Sequence, residues 1–350
     1  MEKIIHVLSS NKFSGAENVA IFIIKSLKDQ YKLFYSSKNG SIKEKLLEED
    51  IDSYLIDNFR IREIKRILYK VKPNIVHAHD FKATVMMSLL KFIGFKFTLI
   101  SHIHQDPKWI HKYGIKRIIL KIFSINVDSF ILVNKNINNK SFFENLKNKV
   151  ILSNIVNVKE ITKKSNEYNV EKADFIFIGR LIDVKNPLFL LEILKKYKEV
   201  NPQFKCYILG DGPLYNDCLE FIKNYNLTSN INLMGFVNNP YPYLLNSKIL
   251  LMTSRTEGLP MVVNEAISLG KPIISTNIDG LKVFEETSFV FLCNNISEYI
   301  NRIIELENNR IYDNVSNNAF KYAEINFDSN KYCEAIKKVY YKPTIEGGGK

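Results

Sequence analysis

The chain has 350 residues, 46% of them hydrophobic and 25% charged, which is the composition of a globular protein with more than one domain. No apolar run of about 18 residues predicts a transmembrane helix, and MEKIIHVLSS lacks the apolar core of a signal peptide, so a cytoplasmic protein is predicted. The four cysteines have neither metal-ligand nor CxxC spacing, which indicates buried free thiols.

The formal net charge of +12 is unevenly distributed along the chain. Residues 1–155 hold 26 Lys and Arg against 14 Asp and Glu, whereas the remaining residues hold 23 of each. A basic first half predicts an anionic partner, such as a membrane surface, a phosphorylated acceptor or a nucleic acid. Compositional drift is the alternative, although drift would affect both halves.

The first half alternates short apolar runs with helical patterns, the signature of βαβ units. A first helix is predicted over GAENVAIFIIKSLKD, directly after the first strand. The predicted strands are KIIHVLS, KLFYSS, SYLI, NIVHAHD, KFTLISHIH, SFILVN and KVILSNIV.

The second half starts a new series of the same kind after a polar stretch, 157–172, that is predicted to be a linker. Its strands are ADFIFIGRL, FKCYILGDG, INLMGF, ILLMTSR and PIISTN, and the chain closes with a helix, FDSNKYCEAIKKVYY. The fold class predicted is α/β, with two doubly wound parallel sheets in tandem. Ligands of such sheets bind beyond the carboxyl ends of the strands, so a cleft between the domains is the expected site.

The stretch SRTEGLPMVVNEAISLGKPIIST places two acids, Glu257 and Glu265, in apolar surroundings. Pro260 is predicted to be the first residue of a helix, whose free backbone N–H groups would hold a phosphate. Carboxylates on either side would accept hydrogen bonds from sugar hydroxyls. The alternative is a capping acid followed by a solvent-facing acid.

Two further loops favour a diphosphate ligand. Arg180 and Lys185 follow the strand FIFIG and are suited to clamp two phosphates. Gly210 and Gly212 follow the strand YIL and would let a ligand approach the backbone. Taken singly, surface cations and a tight turn explain these residues equally well.

The ordered set GRL…KNP, LGDGP, GF at Gly235 and EGLPMVVNEAISLGKPII resembles the C-terminal domain of glycosyltransferase family 4, a group of retaining enzymes with the GT-B fold. In the first half, NKFSGAENVA resembles the family's glycine loop, with Gly15. SNIVNV resembles its interdomain crossing, with Ile155 in place of the usual glycine. The resemblance implies an N-terminal acceptor-binding domain (1–157), a C-terminal nucleotide-sugar domain (170–325) and a helix (326–343) that packs back on the first domain.

The resemblance also implies roles for single residues. Arg180 and Lys185 would bind the donor diphosphate and stabilise the leaving group, while Glu257 would hold hydroxyls of the donor sugar. Glu265 would accept hydrogen bonds from the ribose. The residues implied to bring backbone close to the donor are Gly15, Gly258, Leu259 and Pro260.

A histidine near the donor sugar and acceptor is a further family feature, and LISHIHQDP contains two. Counting from Gly94 favours His102, but His104 stays open as the alternative, and the two share one face of a strand. His77 and His79 repeat the spacing and are interpreted as polar lining. A metal site is not predicted, because no Cys or Glu cluster accompanies these pairs, and no cofactor is expected.

The implied function is transfer of a sugar, from a UDP-sugar, to a saccharide acceptor in surface polysaccharide biosynthesis. A basic amphipathic helix predicted over residues 107–123 suits an anionic membrane, which favours a polyprenyl-diphosphate-linked acceptor at the inner face of the cell membrane. A core-facing helix is equally compatible with that pattern. The alternative functions are a non-hydrolysing nucleotide-sugar 2-epimerase and, more distantly, a nucleic-acid-binding protein, for which no motif is present.

Overall fold

The computed structural model describes residues 1–11, 15–104, 110, 114–133, 141–144, 146 and 148–341. Contacts divide the chain into two compact units. The first comprises residues 1–154 together with the C-terminal segment from Ser329, and the second comprises Ile155–Asp328. In the described part of the chain, no helix has the length and apolarity needed to cross a membrane.

The first unit is a parallel sheet of seven strands in the order β3-β2-β1-β4-β5-β6-β7. Continuous apolar runs such as SFIL are buried along their whole length, as expected for strands covered on both faces. The elements are β1 (Lys3–Val7), α1 (Gly15–Leu27), β2 (Lys32–Lys38), α2 (Ile42–Glu48), β3 (Ser53–Ile56), α3 (Ile61–Val71), β4 (Ile75–Ala78), α4 (Phe81–Phe92), β5 (Thr98–Ile103), α5 (Ile115–Ser124), β6 (Ser129–Leu132), α6 (Ser141–Glu144) and β7 (Lys149–Ile151).

The second unit is a parallel sheet of six strands in the order β10-β9-β8-β11-β12-β13. Two 3₁₀ turns, Asp183–Lys185 and Asp279–Phe284, follow β8 and β12. The elements are α7 (Val158–Ser165), β8 (Ala173–Ile178), α8 (Pro187–Tyr197), β9 (Cys206–Leu209), α9 (Tyr215–Asn224), β10 (Ile231–Gly235), α10 (Tyr241–Leu245), β11 (Ser247–Met252), α11 (Met261–Ser268), β12 (Ile273–Thr276), β13 (Val290–Cys293), α12 (Ile296–Leu306) and α13 (Asn309–Asn326).

The doubly wound α/β architecture predicted from the sequence is confirmed, with β8 and β11 adjacent at the point where the strand order reverses. The predicted linker was wrong in part, because residues 158–165 form α7. The side chain of Asn157 caps this helix by accepting a hydrogen bond from the backbone N–H of Glu160. The strand β13 was not predicted.

The last helix, α14 (Ser329–Tyr341), belongs to the first unit and packs against α1 and β5. Its buried face includes Tyr332, Ile336 and Tyr340. All four cysteines are buried and free, as the sequence predicted.

Candidate functional site

The second unit carries a charged pair at the reversal point of its sheet. Lys185, from the loop after β8, forms an ion pair with Glu257, from the loop after β11. The hydroxyl of Ser254 donates a second hydrogen bond to the same carboxylate oxygen, at 2.8 Å. In sheets with this strand order, ligands bind beyond the carboxyl ends of the strands at the reversal point. The two residues predicted from separate motifs therefore meet where a ligand of this unit would bind.

Backbone contacts hold the two loops together. The hydroxyl of Thr253 donates to the carbonyl oxygens of Lys185 and Asn186, at 3.1 and 3.0 Å. The backbone N–H of Arg255 donates to the carbonyl oxygen of Val184 at 2.8 Å. The positions of Lys185 and its partner are thus fixed by the backbone, and the sequence motifs did not indicate Thr253 or Ser254.

Arg180 is exposed at the end of β8, and its side chain makes no hydrogen bond or ion pair with any residue that the structure describes. The following residue, Leu181, is fully buried. The two residues of the predicted clamp therefore lie on one loop. Lys185 forms an ion pair with Glu257, whereas the side chain of Arg180 is exposed.

The glycines of the LGDGP turn pack closely against a neighbouring backbone segment. A Cβ atom on Gly210 would lie 1.9 Å from the carbonyl oxygen of Gly179, and one on Gly212 would lie 2.5 Å from that of Leu181. Both glycines have positive φ values, +145° and +155°. They let this turn pack against the Arg180 loop, so the close approach that the structure records is between two backbone segments.

The helix start predicted to hold phosphate lies one residue later than expected. Pro260 is the N-cap residue and α11 begins at Met261, because Pro260 has an extended backbone conformation, with ψ at 127°. Gly258 is half-buried and Leu259 is buried. A Cβ atom on Gly280 would lie 2.0 Å from the carbonyl oxygen of Gly258, so the loop after β12 packs directly on this turn.

Glu265 lies in α11 with only 8% of its surface exposed. Its one described hydrogen-bond donor is the hydroxyl of Tyr241, at 3.3 Å. Burial raises the pKa of Glu265 to about 7, and the hydrogen bond from Tyr241 opposes this only in part. Glu265 is thus not the solvent-facing acid of the alternative interpretation.

The first unit carries a cluster of histidines. His102 lies at the end of β5, and its ring stacks on that of His104, with 4.1 Å between ring centroids. His79 hydrogen-bonds to His104 at 3.1 Å, and His77 hydrogen-bonds to His102 at 3.3 Å. His6 completes the cluster by hydrogen-bonding to His79 at 2.9 Å. Both predicted alternatives, His102 and His104, therefore belong to one group.

Burial lowers the pKa of all five histidines, so they are neutral at pH 7. Desolvation lowers the pKa values of His6 and His104 to about 3. It holds the pKa values of His77, His79 and His102 well below the ordinary range, and their histidine neighbours lower them further.

The hydroxyl of Tyr340, from α14, also belongs to this group, because it hydrogen-bonds to His77 at 3.0 Å. Sequence reasoning missed two members, His6 and Tyr340. The signal that could have identified His6 is strand register, because His6 lies directly opposite His77 on the neighbouring strand. Gly15, predicted to be in a loop, is the first residue of α1; the preceding Ser14 lies outside the described residues.

Two groups of three histidines have their ligand atoms within 4.8 Å of one another, an arrangement that the sequence analysis did not predict. They are His6, His77 and His79, and His79, His102 and His104. This spacing alone is compatible with a metal ion, whereas the stacking of the rings favours hydrogen bonds between them.

Comparisons with known proteins show which family of proteins the chain resembles. Residues 158–324 match the family model "Glycosyl transferases group 1". The uncharacterized glycosyltransferase MJ1059 of Methanocaldococcus jannaschii is 34% identical over 281 residues, 69% of each chain. The capsular polysaccharide biosynthesis glycosyltransferase CapH of Staphylococcus aureus is 26% identical over 99% of this chain and 100% of its own.

Two further matches carry ligand names. The Escherichia coli UDP-Gal:alpha-D-GlcNAc-diphosphoundecaprenol alpha-1,3-galactosyltransferase is 24% identical over 97% of this chain and 96% of its own. The structure of Anabaena Alr3699/HepE in complex with UDP-glucose superposes with a TM-score of 0.83 at 18% identity, over 97% of this chain and 100% of that one. The fold is therefore GT-B, and the chain belongs to the glycosyltransferases, with residues 158–324 matching the group 1 model.

Proposed function

We propose that the protein transfers a hexose from a UDP-sugar to a hydroxyl of a polyprenyl-diphosphate-linked saccharide, with retention of configuration, in surface polysaccharide assembly. The observation that carries the proposal is the Lys185–Glu257 pair at the reversal point of the second sheet, beside the start of α11. The UDP donor and the lipid-linked acceptor are supported by the names of the relatives from Anabaena and E. coli.

The pair suits a donor with a diphosphate next to a sugar. Lys185 would bind the diphosphate while keeping one contact with Glu257, whose second oxygen would accept a hydrogen bond from a sugar hydroxyl. Arg180 would add a bidentate contact from the same loop, since its guanidinium has no partner among the described residues. The start of α11 would place backbone N–H groups on the phosphates.

The proposed chemical step needs no nucleophile from the protein. The acceptor oxygen bonds to the anomeric carbon on the face from which the diphosphate departs, the bond from that carbon to the phosphate oxygen breaks, and the acceptor's proton passes to the departing phosphate. Catalysis then depends on stabilising the negative charge of the leaving group, which Lys185 and Arg180 are suited to do. No metal ion is proposed to take part.

Glu265 fits the role of ribose acceptor. Its carboxylate has one described hydrogen-bond donor, Tyr241, so it retains lone pairs for two ribose hydroxyls. Because its pKa is about 7, a bound ribose would favour the ionised form by supplying the donors that burial removed. Nucleotide binding is therefore proposed to release a fraction of a proton near neutral pH.

We also propose that the first unit binds an anionic membrane through α5. The described part of the predicted amphipathic helix is Ile115–Ser124, and residues 107–109 and 111–113 lie outside the described residues. Leu120 is buried and α5 packs against α4, but Ile118 is 57% exposed and Ile122 is 55% exposed, so the helix keeps an apolar surface outside its packed face. Lys116 and Lys121 are exposed on the same helix, the combination that anionic lipid attracts.

A thermal-shift screen over nucleoside diphosphates and nucleotide-sugars tests the donor site. UDP and one UDP-sugar should raise the melting temperature most, since a ligand that binds only the folded state stabilises it. Lys185→Gln should abolish the shift, whereas Lys196→Gln, at an exposed lysine on α8, should keep it. If no nucleoside diphosphate stabilises the wild type, the proposal is wrong.

Activity assays separate the remaining alternatives. Transfer to a lipid-linked acceptor should persist in EDTA, and activity lost in EDTA but restored by Mg²⁺ would refute the metal-free mechanism. Epimerisation of the donor without acceptor would favour the epimerase.

Vesicle binding tests the proposed membrane surface. Ile122→Glu should weaken co-sedimentation with anionic vesicles about tenfold relative to Ile304→Glu on α12, where the isoleucine is 43% exposed. Equal binding by both variants would exclude α5.

A further inference from the structure

The five histidines and Tyr340 form a single unbranched chain of hydrogen bonds inside the first unit, here called the histidine chain. Every link is between side chains of this unit, and Tyr340 joins three histidines on one side to two on the other. In order, the links are His104 Nε2 to His79 Nδ1 (3.1 Å), His79 Nε2 to His6 Nδ1 (2.9 Å), His6 Nε2 to Tyr340 OH (3.5 Å), Tyr340 OH to His77 Nδ1 (3.0 Å) and His77 Nε2 to His102 Nδ1 (3.3 Å).

The geometry favours hydrogen bonds over a metal centre. Ligands of one metal ion direct their lone pairs to a common point, whereas the rings of this cluster are mostly stacked or tilted by no more than 34°. Within the chain, each linked nitrogen is directed at a nitrogen or hydroxyl of its neighbour. A metal ion would have to break these links to gain its ligands.

Counting protons restricts the histidine chain to two states. A neutral imidazole has one N–H and one lone pair, and the tyrosine hydroxyl donates once. Six members therefore supply six protons to five links, and each link takes one of them. The only described hydrogen-bond partners of the Tyr340 hydroxyl are His6 and His77, so its proton lies in one of these two links. The remaining proton is then at one end of the chain, so one end carries an N–H and the other end a lone pair. Since every imidazole is joined head to tail, all five histidines must have the same tautomer.

The ends of the chain are His102 Nε2 and His104 Nδ1, both buried and without a hydrogen-bond partner at good geometry among the described residues. Asn154 interacts with His104 at this end of the chain. An N–H at Nδ1 of His104 leaves Nε2 of His102 as a lone pair, whereas a lone pair at Nδ1 of His104 leaves an N–H at Nε2 of His102.

We propose that Tyr340 is a positioning residue that couples the two parts of the histidine chain, so that one shared tautomer decides whether Nε2 of His102 presents a lone pair or an N–H to a substrate hydroxyl. This inference rests on the proposed function for the identity of that substrate. The tautomers themselves are properties of the protein alone and can be measured without any substrate.

Nuclear magnetic resonance of the full-length protein with ¹⁵N-labelled histidine tests the inference, since two-bond correlations from the ring protons distinguish Nδ1–H from Nε2–H. In the wild type at pH 7, all five chain histidines should have the same tautomer. In Tyr340→Phe, His77 and His102 should no longer share the tautomer of His6, His79 and His104, which should still agree with one another. Tyr332→Phe is the matched control, because this buried hydroxyl of the same helix has no described partner.

A second variant keeps the test decisive if Tyr340→Phe fails to fold. Asn154→Leu removes a side chain that interacts with His104 at one end of the chain, so any change of tautomer should occur in all five histidines together. Two different tautomers within the wild-type chain, one tautomer still shared by all five histidines in Tyr340→Phe, or one tightly bound metal ion per protein molecule by elemental analysis would each overturn the inference.

Activity supplies a separate readout. Tyr340→Phe should lower kcat for sugar transfer about tenfold, the effect of one misplaced hydrogen bond, with the affinity for UDP unchanged. If the wild type transfers no sugar but its tautomers are uniform, the proposed function fails and the histidine chain stands. If transfer is normal in Tyr340→Phe although the tautomers shift, the positioning role is wrong and the proposed function stands.

Discussion

Replacing Glu265 with Gln should stabilise the protein at neutral and alkaline pH. Burial raises the pKa of this carboxyl group from the ordinary value of 4.5 to about 7. Because one pKa unit corresponds to about 1.4 kcal/mol, ionising Glu265 costs about 3 kcal/mol more in the folded protein than in the unfolded chain. The side-chain amide of the Glu265→Gln variant would carry no charge and would still accept the hydrogen bond from Tyr241, so the variant avoids this cost.

The direction of this pH dependence follows from which state, folded or unfolded, keeps the proton of Glu265 to higher pH. The folded-state pKa lies above that of the unfolded chain, so the unfolded chain loses its proton first as the pH rises. The folded wild type therefore loses stability between about pH 4.5 and 7 and regains none above that range. The advantage of Glu265→Gln should be below about 1 kcal/mol at pH 5 and close to about 3 kcal/mol at pH 8.

Urea denaturation followed by circular dichroism at pH 5, 6, 7 and 8 measures this difference. Glu192→Gln is the matched control, because Glu192 is exposed on α8 of the same unit and its replacement should change stability by less than about 0.5 kcal/mol. The reasoning would be refuted if the free energy of unfolding of Glu265→Gln differed from that of the wild type by the same amount at every pH. The difference would then not come from ionisation of the buried carboxyl group.

Three other predictions concern the same unit. The affinity for UDP should increase between about pH 6 and 8 in the wild type and lose this dependence in Glu265→Gln, as measured by calorimetry. Gly210→Ala should lower the free energy of unfolding by at least about 2 kcal/mol, since its Cβ would meet the Gly179 carbonyl oxygen at 1.9 Å. Gly235→Ala is the control, because Gly235 also has a positive φ but has open space around it, and it should lower the free energy of unfolding by only about 1 kcal/mol. In urea denaturation, the combined Lys185→Gln and Glu257→Gln variant should be less destabilised than the sum of the single variants, because each single change leaves one partly buried charge unpaired.

Most of the fold could be predicted because parallel strands covered on both faces leave continuous apolar runs in the sequence. The exceptions have short or weak patterns. Strand β13 was missed because its apolar run, VFLC, is only four residues long, too short for periodicity to distinguish a strand from part of a helix. Helix α7 was missed because only Ile161 and Ser165 are buried, although Asn157 and Glu160 at its start form a recognisable cap.

The site could be predicted as a set of residues but not as a set of contacts. Lys185 and Glu257 were identified from two motifs 72 residues apart, and nothing in either motif indicates that the side chains touch. The histidine chain could not be predicted from the sequence alone. His6 joins it only through the register of β1 against β4, and Tyr340 only through the packing of α14. Register and helix packing are tertiary properties, which the local hydrophobic pattern does not contain.

The two units both place polar groups at the carboxyl ends of their strands, but the groups are charged in the second unit and neutral in the first. In the second unit the groups are charged, with Lys185 and Arg180 on one loop, as the proposed stabilisation of a leaving diphosphate requires. In the first unit the histidine chain is neutral, because burial lowers the pKa of every imidazole in it. The formal excess of positive charge in residues 1–155 is counted from lysines and arginines alone, and Lys116 and Lys121 are exposed examples. An anionic partner of this half is accordingly expected to bind at that surface, while a hydroxyl group is the ligand suited to the neutral histidines.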